Sequence, residues 1–186
     1  MELTKEEKLI LLKTARNSIG SLFGKTEKFK PNTKMHPVFN SNAGAFVTLT
    51  INRKLRGCIG YIISDKPLLQ TIKDAAIQAA QADPRFSPLT YDELEKIEIE
   101  LSILSEPFLL SSYDEIIIGK HGLILDEPGS RGLLLPQVPI EHNMNRDEFL
   151  SAICQKSGLH DDYWKETQLN LSGFTATVFN ENEMEG

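Results

Sequence analysis

The sequence predicts an α+β protein in which a mixed or antiparallel sheet is flanked by helices. Two observations carry this prediction: β-rich runs mostly come in pairs joined by short turns, and the regular strand–helix alternation of parallel sheets is missing. Segments with helical spacing of apolar residues lie between those pairs. The 186 residues contain no internal repeat or low-complexity linker, so one domain or two closely joined lobes are expected.

Composition and charge exclude several classes of protein. Hydrophobic residues make up 40% of the chain and charged residues 25%, which are ordinary globular values. The net charge of −6 argues against general binding to a nucleic-acid backbone, and no apolar run approaches the roughly 18–20 residues that span a bilayer. The amino terminus lacks the features of a secretory signal, and the two cysteines form no CxxC motif. We therefore expect a cytoplasmic protein that does not bind membranes, and nucleic acid is not an expected partner.

The first quarter of the chain predicts one helix and one long loop. Thr4 and Glu7 have the spacing of a capping box, and apolar residues recur at helical spacing over residues 5–23. Residues 24–44 are mostly polar and contain two prolines. A loop of this length in a compact domain is often functional or mobile.

Residues 45–51 and 55–63 are two β-rich runs that predict a hairpin. In a regular strand, side chains alternate between the two faces, so Arg56 and Cys58 are expected side by side, about 6–7 Å apart. Gly60 would leave an opening on that same face. Two glycines, Gly57 and Gly60, indicate that backbone, a ligand or another chain comes close to this strand.

The next segment predicts a helix and then a strand. Ser64–Pro67 has the composition of a helix start, and an alanine-rich apolar stripe follows over residues 68–80 until Asp83–Pro84 ends it. Thr90–Glu93 has the form of a second capping box. Residues 97–103 alternate apolar and polar side chains, which is the clearest strand pattern in the chain.

The second half predicts hairpins, a helix and a final strand. Short β-runs joined by glycine-containing turns occupy residues 115–139, and a helix begins at the cap Asn145 and ends at Gly158. The run at 173–179 predicts one last strand. Residues 180–186 are expected to be disordered.

Several of these segments together resemble the AMMECR1 domain family, which is protein A of the AmmeMemoRadiSam system. The matching segments span most of the chain in order, and the combination is specific although each piece alone is weak: FVTL at 46–49, LRGCIG at 55–60, DPRF at 83–86, IEIELSIL at 97–104, GLLLPQV at 132–138 and FLSAICQKSGL at 149–159. One departure is Met144, in a segment where the family usually has a tryptophan.

The resemblance implies that residues 1–186 form a single AMMECR1 domain with two unequal lobes. The larger lobe would contain the N-terminal helix, residues 45–105 and the C-terminal segment, and the smaller lobe would be built from the intervening segments. The LRGCIG strand would line a cleft between the lobes. By gene context, the resemblance also implies association with a Memo-like protein and a radical-SAM protein, but it names no reaction.

Cys58 is the candidate catalytic residue, either as a nucleophile or as an acceptor of a modification. Arg56 could lower the pKa of the thiol and hold an anionic group. The alternative is structural, since a free cysteine often packs as a small buried hydrophobe. The only histidine near it in sequence is His36, in the long loop, and no base is assigned to the thiol.

Arg56 needs a counter-charge if its strand is buried, and Glu98, Glu100 and Asp83 are the predicted partners. A structural ion pair is one interpretation. In the functional one, Glu98 and Glu100 form an acid–base or metal-binding face, although a solvated strand face has the same pattern. Asp83 and Arg85 are expected to pair locally within DPRF. No zinc signature is present, and neither a metal nor a cofactor is predicted.

The preferred hypothesis is a binding or regulatory component that recognises a small anionic ligand or a peptide segment of a partner. The alternative is an enzyme that depends on Cys58. Nucleic-acid binding is the third and disfavoured hypothesis. The candidate residues for binding a ligand or partner are Arg56, Gly57, Cys58, Gly60, Asp83, Arg85, Glu98 and Glu100.

Overall fold

The computed structural model describes residues 2–184 and confirms the α+β class. The helices in this range are α1 (Lys5–Ser21), α2 (Leu68–Gln81), α3 (Val138–Glu141), α4 (Arg146–Lys156), α5 (Tyr163–Glu166) and α6 (Glu181–Met184). The strands are β1 (Ala45–Ile51), β2 (Lys54–Tyr61), β3 (Glu98–Leu104), β4 (Phe108–Leu109), β5 (Gly122–Glu127), β6 (Ser130–Leu134), β7 (Leu171–Phe174) and β8 (Ala176–Asn180). Short 3-10 helices occur at Pro37–Asn40, Tyr91–Glu93 and Tyr113–Glu115.

The chain forms two compact units. One unit runs to Leu104 and resumes at Thr177, and the other is Ser105–Ala176. Each contains a four-stranded sheet, in the order β2-β1-β3-β8 for the first and β4-β7-β5-β6 for the second. The strand pairs of both sheets are antiparallel, as the prevalence of hairpins predicts.

In the first unit, α1 and α2 pack together, and the buried side chains of β1 belong to the same core. Ala45, Val47 and Leu49 are fully buried, and they alternate with the partly exposed residues of β1. The alanines of α2 allow its backbone to approach the sheet closely: a Cβ atom on Gly57 would lie 2.2 Å from the carbonyl oxygen of Ala79. This contact explains the first of the two glycines in β2.

The hairpin between β1 and β2 turns through Asn52 and Arg53, whose φ angles are 50° and 61°. Two consecutive residues with positive φ form the type I′ geometry that matches the twist of an antiparallel hairpin. The predicted hairpin is therefore confirmed, with β2 beginning one residue earlier than the sequence indicated.

The second unit has its own core, in which α4 lies against β5 and β6. The capping box at Asn145 and the terminal Gly158, with φ of 79°, bound this helix as predicted. Its apolar side chains Phe149 and Leu150 are fully buried, together with Leu123 of β5.

Three sequence predictions need correction. Residues 116–119 are not a strand but follow a 3-10 helix, and the predicted strand at 173–179 is two strands in different sheets. The break lies at Thr175, whose amide donates to Ser105 Oγ and whose carbonyl accepts from the Ser105 amide, both at 2.9 Å. The tail predicted to be disordered contains α6, and its last two residues lie outside the described range.

Within residues 2–184, no helix is both long enough and apolar enough to cross a lipid bilayer.

Candidate functional site

Cys58 lies on β2, an edge strand of the first sheet, and the DPRF segment covers its outer backbone. The Cys58 amide donates to Asp83 Oδ2 at 2.8 Å, and Arg85 Nη2 donates to the Cys58 carbonyl at 3.3 Å. In an uncovered edge strand, this backbone amide and carbonyl would have no partners and could pair with another chain. The Asp83–Arg85 pair therefore completes this edge of the sheet.

The carboxylate of Asp83 is buried, with 4% of the residue exposed. Arg85 binds it through Nε at 2.9 Å and Nη2 at 2.6 Å, which confirms the predicted local pair. The guanidinium and the backbone amides of Cys58 and Arg85 hold the pKa of Asp83 well below its usual range, against the effect of burial. Asp83 is thus an ionised group at neutral pH within this edge.

The Cys58 thiol is partly exposed and contacts a hydroxyl group. Its Sγ lies 3.3 Å from Oγ1 of Thr48, the residue directly opposite on β1. Among residues 2–184, no histidine or carboxylate makes a hydrogen bond to this sulfur. His36 instead lies beside Glu7, with Nδ1 at 3.3 Å from Oε1. The described structure therefore places no general base at the thiol.

Arg56 uses most of its donors on partners within the protein. Its Nε and Nη2 bind the two oxygens of Glu93 at 2.7 and 2.9 Å, and its Nη1 and Nη2 donate to the carbonyls of Ser87 and Pro88 at 3.0 and 3.3 Å. Four of the five guanidinium N–H groups are used in these bonds. The prediction that Glu98, Glu100 or Asp83 supplies the counter-charge is wrong.

Glu93 also closes the predicted capping box, since its Oε2 accepts from the amide and hydroxyl of Thr90 at 2.8 and 3.0 Å. Arg56, followed by the hydrogen bonds from Thr90, lowers the pKa of Glu93 from 4.5 to about 2 against the effect of burial. One carboxylate therefore joins β2 to the turn at Tyr91–Glu93.

A β-bulge interrupts the regular pairing of β2 with β1. Leu49 pairs with Gly57 and Thr50 with Leu55, so Arg56 is an extra residue without an opposite partner. The regular pairing of β2 with β1 is interrupted at this residue, and the side-by-side display of Arg56 and Cys58 stays a prediction. The guanidinium binds the segment 87–93, whereas the thiol contacts Thr48 on the neighbouring strand.

Gly60 does not create an open space. A Cβ atom at Gly60 would lie 2.4 Å from Cγ of Phe46, so the phenyl ring occupies the expected opening. The prediction of an opening at this glycine is therefore wrong, and both glycines of LRGCIG serve close packing within the first unit.

Glu98 and Glu100 lie on β3, opposite Thr50 and Thr48 of β1. Together with Asn180 of β8 they line a small cavity of about 110 Å³. The described residues contain no group of three or more His, Cys, Asp or Glu side chains arranged to hold a metal ion. The two carboxylates thus share a face, as predicted, but their acid–base or metal role stays a prediction.

Arg85 is the more exposed of the two arginines near Cys58, and within residues 2–184 its Nη1 keeps both hydrogens free, whereas Arg56 retains one N–H. The Arg85 side chain is 54% exposed, and no hydrogen bond within residues 2–184 uses its Nη1. Asp83 is the main cause of the raised pKa of Arg85, and the Cys58 thiol adds to the effect. Arg85 is one of the candidate binding residues named from the sequence, which also predicted its local pair with Asp83, and DPRF is one of the segments that carry the family resemblance.

Comparison with known proteins supports this resemblance. The family model described as AMMECR1 matches residues 12–179. The chain belongs to the AMMECR1 family. A protein of Methanosarcina barkeri is 41% identical over 97% of this AMMECR1-family chain and 93% of its own length. A Methanocaldococcus jannaschii protein is 41% identical, over 80% of this chain and 78% of its own.

A crystal structure of the uncharacterized protein PH0010 from Pyrococcus horikoshii also resembles this AMMECR1 fold. The match has a TM-score of 0.82 at 34% identity and covers 95% of this chain and 92% of that one. The family and its fold are therefore shown, and the comparisons name no reaction.

Proposed function

We propose that this protein is a binding or regulatory component that recognises an anionic group at the edge of β2. The observation that carries the proposal is the arrangement of Arg85: its guanidinium is anchored by Asp83, is half exposed and keeps Nη1 without a protein partner within residues 2–184. An anchored arginine with a spare nitrogen suits a carboxylate or phosphate, because the charge is already oriented and little side-chain entropy remains to be lost.

The surroundings of Arg85 favour binding over catalysis. Cys58 contributes a partly exposed thiol whose hydrogen-bond partner is the hydroxyl of Thr48. Nucleophilic catalysis needs a base within hydrogen-bond reach of the nucleophile, and the described residues supply none at this sulfur. Arg56 is a less suitable anion contact, since Glu93, Ser87 and Pro88 occupy most of its donors.

The partners in this proposal come from the family resemblance. The Memo-like and radical-SAM proteins that it implies would present a carboxylate of a side chain or chain terminus to Arg85, and a small anionic ligand could occupy the same position. A single charged contact of this kind at the rim of an interface affects specificity and association rate.

The experiment is to measure binding of the Memo-like and radical-SAM proteins to Arg85→Ala and Arg85→Lys by calorimetry. Arg131→Ala is the matched control, because Arg131 is also an exposed arginine paired with an aspartate, Asp126, but lies on β6. We expect Arg85→Ala to weaken binding about tenfold, with partial recovery in Arg85→Lys and little change in Arg131→Ala. A folded Arg85→Ala protein that binds each partner like the wild type would refute the proposal.

The second candidate is the cysteine-dependent enzyme or modification acceptor, favoured by the partial exposure of Cys58 next to Arg85. This function requires a reactive thiolate, and therefore a thiol pKa well below the ordinary value of about 8.5. The pH dependence of alkylation of Cys58 measures that pKa. A low value, together with loss of a measured activity in Cys58→Ser, would favour chemistry over binding.

A further inference from the structure

A second polar cavity lies in the first unit, apart from the edge of β2. It has a volume of about 480 Å³, which is within the range of small-molecule sites, and lies between the C-terminal half of α1, the loop that follows it and the Leu94–Glu95 turn. Three cationic side chains line it, with two carboxylates and one amide: Lys13, Arg16, Lys25, Glu27, Glu95 and Asn17.

The walls of this cavity are held by hydrogen bonds to the backbone. Asn17 binds Glu27 twice, accepting from its amide at 2.8 Å and donating to its carbonyl at 3.2 Å. Arg16 donates to the carbonyls of Leu94 and Ile97 at 2.9 and 2.8 Å. Both sides of the cavity are therefore anchored to α1, so the site is largely formed in the absence of a ligand.

Two lysines of the cavity have partners that a ligand can replace. Lys13 pairs with Glu27 at 2.7 Å and Lys25 with Glu95 at 2.8 Å. The side chains of the four residues are 45–75% exposed. Ion pairs this exposed contribute little stability, because water and salt screen them. An anion in the cavity could form ion pairs with both lysines, and both carboxylates would then be solvated by water.

The loop beside the cavity is basic although the protein as a whole has a net charge of −6. Lys28, Lys30 and Lys34 are exposed on this loop, and no ion pair within residues 2–184 involves them. A local excess of positive charge raises the concentration of anions nearby and increases their association rate. The loop thus offers an approach for an anionic ligand to this cavity.

We infer that the cavity binds the phosphate group of a small phosphate monoester. The ligand should carry two negative charges, because a single dianion would replace the two carboxylates that now neutralise Lys13 and Lys25. The amide of Asn17 is committed to the backbone and Arg16 is already paired with Glu181, so the two lysines provide the charged contacts. This site does not depend on the proposed function at Arg85.

The experiment is a calorimetric titration of the full chain with methyl phosphate at about pH 8, where a monoester is mainly a dianion. Dimethyl phosphate, a monoanion of similar shape, is the matched ligand. We expect saturable binding of methyl phosphate, about tenfold tighter than that of dimethyl phosphate. Absence of saturable binding, or equal affinity for the two probes, would overturn the inference.

Variants distinguish binding in the cavity from nonspecific attraction by nearby positive charge. Lys13→Gln and Lys25→Gln should each weaken the binding of methyl phosphate about fivefold or more, whereas Lys30→Gln, which removes the same charge from the loop outside the cavity, should change it less than about twofold. Equal weakening by all three lysine variants would show nonspecific attraction only.

Glu95→Gln should tighten the binding of methyl phosphate, because it removes the competing carboxylate. Asp65→Asn, which removes a carboxylate outside the cavity, is its control. Arg85→Ala should bind methyl phosphate normally.

Discussion

Arg56 and Arg85 have the same side chain but different roles, because they differ in how many of their guanidinium donors are already bonded within the protein. Both are near LRGCIG, and each forms a bidentate pair with one carboxylate. Arg56 gives its remaining bonds mainly to the carbonyls of Ser87 and Pro88 and stabilises the first unit. Arg85 is more exposed and keeps a nitrogen available, so we assign ligand recognition to Arg85 and a structural role to Arg56.

The Arg56–Glu93 pair should make stability dependent on pH. The pKa of Glu93 in the folded protein, about 2, is below the ordinary value of 4.5. The stabilisation is therefore present above about pH 4.5 and is lost as pH falls from there toward 2. We expect Glu93→Gln to lower the free energy of unfolding at neutral pH by about 2 kcal/mol and to flatten the curve in that acidic window.

Urea unfolding at a series of pH values measures this effect. The control is Asp92→Asn, which removes an exposed neighbouring charge and should change the free energy of unfolding by less than about 0.5 kcal/mol. If Glu93→Gln keeps the acid sensitivity of the wild type, the pair does not contribute as described.

At the scale of elements, the C-terminal strand and helix complete the first unit. Glu181, the first residue of α6, accepts from the Nε and Nη2 of Arg16 and from the amide of Ile99. It therefore connects α1, β3 and α6 through one carboxylate. This role of Glu181 could not be predicted from the sequence, because the acidic tail has the composition of a disordered segment.

Glu181→Gln should destabilise the protein by about 1–3 kcal/mol, because it removes a charged partner of a partly buried arginine. Glu183→Gln on the same helix is the matched control, since Glu183 is exposed, and we expect less than about 0.5 kcal/mol. Chemical unfolding of the two variants provides the comparison, and equal effects would contradict the role of Glu181.

At the scale of the whole molecule, each unit contains its own hydrophobic core and one cysteine. Cys58 is partly exposed in the first unit, whereas Cys154 is fully buried in the core of the second. Burial raises the pKa of the Cys154 thiol above its ordinary value, which further lowers its reactivity. The two thiols therefore report on different parts of the fold.

Iodoacetamide should modify Cys58 in the native protein and leave Cys154 intact until the second unit opens. We expect the native rate at Cys154 to be at least about 100-fold below its rate in denaturant, as measured by mass spectrometry of peptides. Cys58→Ser, which should incorporate almost no label when folded, is the control. Rapid native labelling of Cys154 would mean that its core is accessible.

The sequence by itself determined the α+β class, the main helices, the β1–β2 hairpin and the segments that identify the family. These depend on local patterns: apolar periodicity, capping residues and turn geometry act within a few positions. The division of residues 173–179 between two sheets has no such signal, because it depends on Ser105, 70 positions away from Thr175.

Only the tertiary structure decided the chemistry around LRGCIG. The partner of Arg56 is Glu93, 37 positions away, and the spare cation beside Cys58 comes from the segment after α2. Strand alternation predicted an opening at Gly60, but the ring of Phe46 occupies it, and a bulge at Arg56 interrupts the regular strand pairing. Ion pairs and close packing depend on the path of the folded chain, and several carboxylates were equally plausible partners in the sequence.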